Sequence, residues 1–248
     1  MKADCSDRFR CKGGRVEWSI NRALVPFVKG SQEAAHVDNG LAASRESEMK
    51  LIILVLLASC NAENYWETFF ERRPDLSQYQ DATKSMAVSS KRFLVYRTYQ
   101  LDKAFGAAFP CVSIQQTNQT CNNTRDYPVM EAYTVMEFYN TTSRRWVNYT
   151  VPARTLLTDN YTVPNVIQAG SGNRTADSPI MFSDYGKCDV VRAPHTGNDS
   201  DCELWVAEEH VDSYPSCCDF IYDLLCAPFK FQIYYDNCTT EARRKTVQ

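Results

Sequence analysis

Two acidic residues, Asp189 and Glu203, stand on either side of a polar loop and carry the charge needed to bind a cation. The apolar segments CDVV and CELWV flank the loop APHTGNDSD, a pattern typical of an antiparallel β-hairpin. A hairpin centred on Thr196 places Asp189 opposite Glu203, with Trp205 on the same face. Opposed carboxylates destabilise a structural strand pair but suit a site for a protonated amine, which Trp205 would contact by stacking or a cation–π interaction.

The same alternation assigns the other face of the hairpin, with Cys188 and Cys202, to the outside, where the segment 212–227 packs against it. The spacing is equally compatible with a plainer interpretation of the acidic face. In that interpretation Glu203 is a surface residue and Trp205 belongs to an ordinary core.

Other kinds of chemistry have little support in the sequence. A calcium site requires more oxygen ligands than this pair provides, and no polar cluster nearby indicates a sugar-cleaving carboxylate pair. The three histidines, His36, His195 and His210, are too few and too scattered for a catalytic triad or a zinc site. We therefore expect a protein that is not an enzyme and that uses no cofactor and no metal.

The segment 49–62 is typical of a signal peptide. Met49-Lys50 forms a short basic region, the apolar run LIILVLLA at 51–58 is too short to span a bilayer, and the small-residue stretch SCNA follows. Because a signal peptide begins a nascent chain, we expect translation to start at Met49 and residues 1–48 to be a non-native or disordered extension. The alternative is a genuine cytosolic extension in which residues 51–58 form a buried helix.

The composition indicates a secreted, disulfide-bonded and glycosylated chain. A net charge of -3 gives no electrostatic reason to expect binding of nucleic acid or an anionic membrane. We expect an extracellular monomer. Eight of the 11 cysteines follow the signal peptide and are expected in up to four disulfides: Cys111, Cys121, Cys188, Cys202, Cys217, Cys218, Cys226 and Cys238. Eight Asn-x-Ser/Thr sequons predict glycosylation, at Asn118, Asn122, Asn140, Asn148, Asn160, Asn173, Asn198 and Asn237.

The pattern after the signal peptide predicts one all-β domain over residues 63–240, with a disordered tail at 241–248. A helix over 74–88 comes first, and a helix over 212–227 with an apolar stripe of Phe220, Leu224 and Leu225 comes near the end. Between them, six strands are expected before the hairpin supplies the seventh and eighth: 92–98, 110–116, 129–139, 145–151, 160–168 and 180–185. The polar segments 118–125 and 168–179 are expected to be loops. Such a series predicts an antiparallel up-and-down barrel that holds one small ligand.

The hairpin and the cysteine after it resemble the amine-binding signature of tick salivary lipocalins, the histamine-binding protein family. The signature consists of Cys-Asp-aliphatic, Glu-Leu-aromatic and Cys. The matching residues, with gaps of compatible length, are Cys188-Asp189-Val190, Glu203-Leu204-Trp205 and Cys217. YQDATK at 79–84, Pro110-Cys111 and the double Cys217-Cys218 are similar to further family segments, so the likeness covers most of the domain.

The resemblance implies a lipocalin barrel that sequesters histamine or serotonin and suppresses host inflammation or haemostasis. It assigns Asp189 and Glu203 to the ammonium or imidazole of the ligand and Trp205 to the pocket wall. Asp81 and Glu137 are the candidates for a second amine, although Thr83 stands where the family usually has Trp.

The resemblance also implies how cysteines and helices hold the barrel. It suggests a short N-terminal helix, a C-terminal helix packed on the wall, and disulfides that join Cys111 to Cys238 and Cys188 to Cys217 or Cys218. The remaining cysteines, Cys121, Cys202, Cys226 and the other half of the double Cys, would supply further bridges.

Two other functions keep the fold and change the partner. A lipid mediator such as a leukotriene would be favoured by an arginine inside the barrel, for which Arg97 and Arg145 are candidates. A protein-binding inhibitor of complement or platelets would instead use a loop such as 115–125.

Overall fold

The computed structural model describes three stretches of the chain: 70–124, 127–226 and 229–239. The predicted extension at 1–48, the signal peptide at 49–62 and the tail at 241–248 lie outside these residues. None of the described helices is long and apolar enough to cross a membrane.

Antiparallel strands form one sheet that closes on itself. The strands are β1 (Arg92–Arg97), β2 (Ser113–Asn123), β3 (Pro128–Asn140), β4 (Arg145–Leu156), β5 (Val166–Ser171), β6 (Arg174–Ser183), β7 (Cys188–Arg192), β8 (Cys202–Ala207) and β9 (Phe231–Gln232). Strands β1 to β8 follow one another around the barrel, and β1 completes it by pairing with β8 on one side and β2 on the other. The short β9 pairs with the end of β1. The predicted eight-stranded up-and-down barrel is confirmed.

Two segments predicted as loops are strands. Strand β2 extends to Asn123 and covers most of the polar segment 118–125, and the segment 168–179 is largely the hairpin of β5 and β6. Both segments are polar because one face of a barrel strand contacts water, so backbone pairing there requires no apolar run. The loop 115–125 proposed above as a surface for binding proteins is therefore part of the barrel wall through Asn123.

The helix predicted over 74–88 is instead two short helices. A 3-10 helix, Pro74–Tyr79, ends before Gln80, and α1 spans Ala82–Met86. The fully buried Gln80 donates hydrogen bonds to the carbonyl oxygens of residues 70 and 181, so its side chain anchors the break to the barrel. Asp81 caps α1 by accepting hydrogen bonds from the backbone N–H groups of residues 83 and 84.

The second α-helix, α2 (Ser216–Leu225), packs on the outer face of β7 and β8. Its buried side includes Ile221 and Tyr222, whereas Phe220 and Leu224 are exposed. The prediction of an inward-facing stripe was therefore wrong for Phe220 and Leu224, whereas Leu225 is half-buried and packs against the cluster of buried apolar residues. The disulfides from Cys218 and Cys226 hold the helix to the barrel wall in this orientation. Further 3-10 helices are Phe70–Arg72, Pro194–Thr196, Glu208–His210 and Asp236–Cys238.

Three disulfides connect described residues: Cys111–Cys238, Cys188–Cys218 and Cys202–Cys226. The first is a pairing that the resemblance implies, and the second is one of its two alternatives for Cys188. The second and third bridges attach α2 to β7 and β8. Bridges that involve Cys121 and Cys217 stay a prediction.

The hairpin of β7 and β8 has the predicted faces but not the predicted register. Asp189 pairs with Trp205 and Val191 with Glu203, so the prediction that Asp189 lies opposite Glu203 was wrong. The turn is centred on Gly197, whose φ of 90° ends the 3-10 turn in the left-handed region, rather than on Thr196. Moving the centre by one residue shifts each partner by two positions, which keeps every side chain on its predicted face.

Gly170 in β5 offers a test of the β5–β6 hairpin. Its φ is +104°, and a Cβ atom there would lie 2.1 Å from the carbonyl oxygen of Arg174. We expect Gly170→Ala to destabilise the fold by about 2–4 kcal/mol, through backbone strain and the clash together. Gly172→Ala is the matched control, since φ is also positive but no atom lies within 4 Å of the added Cβ. Equal unfolding free energies of the two variants in urea would contradict the hairpin geometry.

Candidate ligand-binding site

The interior of the barrel contains a cavity of about 60 Å³. One wall is formed by the inward-facing residues of the hairpin, Asp189 and Val191 from β7 with Glu203 and Trp205 from β8. Phe105, from the segment between β1 and β2, also contacts this space. The remaining lining comes from β2, β3, β5 and β6: Ile114, Gln116, Thr134, Met136, Ile167, Ala169 and Ser178. Asp189 and Glu203 therefore lie inside the barrel, and the surface position considered for Glu203 is excluded.

Asp189 is buried and only partly satisfied. Its Oδ2 accepts a hydrogen bond of 2.8 Å from the hydroxyl of Ser85 and lies 3.2 Å from Nε of the buried Arg92. Its Oδ1 is buried and has no hydrogen-bond partner in the part of the chain that the structure describes. A buried carboxylate oxygen without a partner costs free energy, so this atom is an acceptor available to a donor that enters the cavity.

Glu203 has both carboxyl oxygens engaged. The hydroxyl of Tyr99 donates a short hydrogen bond to Oε1, and the indole N–H of Trp205 donates one of 2.8 Å to Oε2. Burial raises the pKa of Glu203, and the nearby charge of Asp102 raises it further. Trp205 packs among the apolar residues at this end of the interior, including Leu94 and Ile180.

A protonatable pair adjoins Glu203. His195 Nε2 lies 3.4 Å from Asp102 Oδ1, and Asp102 also accepts hydrogen bonds from the backbone N–H groups of Ala104 and Phe105. Burial opposes ionisation of Asp102, but the adjacent imidazole of His195 and the two backbone N–H groups hold the pKa of Asp102 below its ordinary value. Burial likewise opposes protonation of His195. The surrounding carboxylates nevertheless raise the pKa of His195, and Asp102 has the largest effect among them.

The two candidates for a second amine lie elsewhere. Asp81 caps α1 and is not part of the cavity lining, and burial raises the pKa of its carboxyl. Glu137 is adjacent to Met136 on β3, and because Met136 faces the cavity, Glu137 faces the outside of the barrel. Lys91 Nζ contacts Glu137 Oε2 there at 2.6 Å. The structure therefore does not bring Asp81 and Glu137 together with Asp189 and Glu203.

The sequence did not predict the residues that partner the hairpin carboxylates. Ser85 and Tyr99 are each 104 positions from the carboxylate they contact. Arg92 was visible only as the first residue of a predicted strand. A bulge in β1 between Leu94 and Tyr96 lets both Arg92 and Arg97 point inward, which strict alternation does not allow.

A closed up-and-down barrel with a polar interior site and a helix fastened to its wall defines a lipocalin-type binding protein. The wall helix is attached through two disulfides. The chain belongs to the tick histamine binding protein family, whose model matches residues 70–240.

The comparisons with individual proteins include one histamine-binding protein. The male-specific histamine-binding salivary protein of Rhipicephalus appendiculatus is 30% identical over 182 residues, which cover 69% of this chain and 86% of that protein. Among solved structures, lobster apocrustacyanin A1 is 10% identical with a TM-score of 0.45, covering 70% of this chain and 93% of the other. The allergen Per a 4 from cockroaches is 12% identical with a TM-score of 0.43, covering 64% and 90%.

Proposed function

We propose that this chain is a secreted lipocalin that binds and sequesters a biogenic amine, histamine or serotonin, and so suppresses host inflammation or haemostasis. The observation that carries the proposal is that Asp189 lines the cavity and that its buried Oδ1 has no hydrogen-bond partner among the described residues. A protonated amine supplies the donor and the positive charge that this atom lacks. The similarity to a protein named for histamine binding supports the same ligand class.

The charges inside the barrel assign different roles to the two carboxyls. Asp189 is shared between the ligand and Arg92, so an incoming ammonium competes with an internal cation. Both carboxyl oxygens of Glu203 already accept hydrogen bonds, and burial raises the pKa of this group. We therefore assign the ammonium to Asp189 and the polar end of an aromatic ring, an imidazole or an indole, to the side of Glu203 and Trp205.

The size of the cavity favours a small ligand over a lipid mediator. At about 60 Å³ it is well below the roughly 300–1,000 Å³ of typical pockets for drug-sized ligands, and even a ring-bearing amine requires lining side chains to shift. The arginines considered for a lipid headgroup do not line this space. Arg97 donates hydrogen bonds to the carbonyl oxygens of Gln100 and Ala107, and Arg145 is exposed on β4.

Secretion and glycosylation belong to the same proposal. The disulfides suit an oxidising compartment. Seven of the eight sequon asparagines are exposed and Asn140 is half-buried, so the described surface is compatible with glycans at these positions.

Titration calorimetry with histamine, serotonin and a fatty acid tests the proposed ligand class. We expect one of the amines to bind the full chain with one molecule per barrel, and the fatty acid to give no binding. Fatty acid binding without amine binding would replace the proposal by the lipid alternative.

Arg92→Gln is expected to separate the stability of the barrel from its affinity for amines. Removing the partner of a buried carboxylate lowers the free energy of unfolding by about 3–5 kcal/mol. Amine affinity should increase about tenfold, because the ligand no longer competes with an internal cation for Asp189. Thermal unfolding with and without histamine measures both effects, since a ligand that binds tighter stabilises more.

The exposed Arg145→Gln on β4 is the matched control for this variant and should change neither quantity. Weaker amine binding by Arg92→Gln would show that Arg92 supports the site rather than competing in it.

A further inference from the structure

Three side chains that can bind a metal ion converge beside the amine site. Asp102, His195 and Glu203 each offer one ligand atom, and these atoms all lie within 4.8 Å of one another. They come from three separate parts of the chain: the segment after β1, the 3-10 turn between β7 and β8, and β8 itself. All three side chains are buried, with 7% of the His195 side chain exposed.

The imidazole of His195 is the unexplained member of this group. Neither ring nitrogen has a hydrogen-bond partner among the described residues, although the side chain is more than nine-tenths buried. Nε2 lies 3.4 Å from Asp102 Oδ1, and the ring is held edge-on against the rings of Phe105 and Tyr99. A buried imidazole that aromatic rings hold in place, and whose nitrogens lack hydrogen-bond partners, can coordinate a metal ion in its neutral form.

The oxygen ligands are oriented from outside the group. Backbone N–H groups of residues 104 and 105 hold Asp102 Oδ1, and the indole of Trp205 holds Glu203 Oε2. The single hydroxyl of Tyr99 contacts both carboxyls, Oε1 of Glu203 and Oδ2 of Asp102. One phenolic hydrogen cannot satisfy two carboxylates, so this centre has more acceptors than donors.

We propose that Asp102, His195 and Glu203 form a binding site for a divalent transition metal ion, with Zn²⁺ as the best match. One imidazole and two carboxylates are ligands typical of Zn²⁺, whereas Ca²⁺ and Mg²⁺ prefer oxygen ligands alone. The positive charge of the ion would compensate the carboxyl oxygens that lack a hydrogen-bond donor. The hydroxyl of Tyr99 or a water molecule would complete four ligands.

The metal site and the amine site share Glu203, but the charged group of the amine engages a separate residue. The metal engages Glu203, and the ammonium engages Asp189, which is not part of the metal cluster. Histamine carries an imidazole, so a metal ion with an open position would also bind the ring of that ligand. The metal proposal does not depend on amine binding.

Calorimetric titration of the tag-free, metal-free full chain with ZnCl₂ tests the site. We expect one equivalent of Zn²⁺ to bind, and a Co²⁺-loaded sample to show the visible absorption of a four-coordinate ion. His195→Gln should weaken Zn²⁺ binding by more than about tenfold, because loss of an outer partner of a metal ligand already costs 10- to 100-fold. The matched control His210→Gln changes a histidine outside the cluster and should leave Zn²⁺ binding unchanged.

A second measurement keeps the test independent of folding of the variant. In the wild-type chain, the ring nitrogen NMR signals of His195 are expected to shift on Zn²⁺ addition while those of His210 do not. No uptake of Zn²⁺, unchanged His195 signals, or wild-type affinity in a folded His195→Gln variant would each overturn the proposal. Asp189→Asn should lose amine binding and keep Zn²⁺ binding, so the failure of one proposal is distinguishable from failure of the other.

Discussion

Asp189→Asn is expected to weaken binding of histamine or serotonin by at least about 30-fold, equivalent to about 2 kcal/mol. The amide keeps the shape of the side chain and the hydrogen bond from Ser85, but it removes the charge that attracts an ammonium. Titration calorimetry at fixed salt measures the change. Glu137→Gln is the matched control, since this carboxylate lies on the outer face of β3 and should leave amine affinity as it is in the wild type.

The loss of affinity must be separated from a loss of stability, because Asp189→Asn leaves Arg92 buried without its counter-ion. The double variant Asp189→Asn/Arg92→Gln removes both charges. We expect it to recover most of the lost unfolding free energy and none of the amine affinity. Wild-type affinity in either Asp189 variant would show that the amine binds elsewhere.

Removing the Cys111–Cys238 disulfide by Cys111→Ala/Cys238→Ala is expected to cost about 5 kcal/mol of unfolding free energy. The bridge closes a loop across 127 positions of the chain. Its loss therefore increases the conformational entropy of the unfolded chain more than the loss of a short-range bridge does. It also connects the segment before β2 to the segment after β9. Urea denaturation of the oxidised proteins measures the effect.

Cys202→Ala/Cys226→Ala is the comparison for this bridge, with a separation of 24 positions and an expected cost of about 3.5 kcal/mol. The two double variants remove the same number of sulfur atoms, so the difference between them reports loop length. A larger cost for the short-range bridge would mean that attachment of α2 to the wall, rather than loop closure, dominates disulfide stabilisation.

Hydrophobic alternation in the sequence was sufficient to predict the barrel and which side chains of its last hairpin share a face. Side chains in a strand alternate between the two faces of the sheet. Because the observed register differs from the predicted one by two positions, Asp189, Glu203 and Trp205 still share a face. The same local information gave a wrong prediction for the polar segments 118–125 and 168–179, which were expected to be loops and are largely strands. One face of a barrel strand is hydrated, and turn-forming residues alone do not exclude backbone pairing.

The sequence by itself determined an antiparallel barrel and placed Asp189, Glu203 and Trp205 on one face of its last hairpin, because both follow from patterns within a few residues of each other. It also provided the cysteines for the disulfides. Only the tertiary structure decided what that face contacts. Closure of β1 against β8 and β2, with a bulge in β1, brings Arg92 to Asp189 and Tyr99 to Glu203, and the loop segments add Asp102 and His195. Tyr99 and Glu203, for example, are 104 positions apart in the chain, and no local periodicity specifies which side chains meet across a closed sheet.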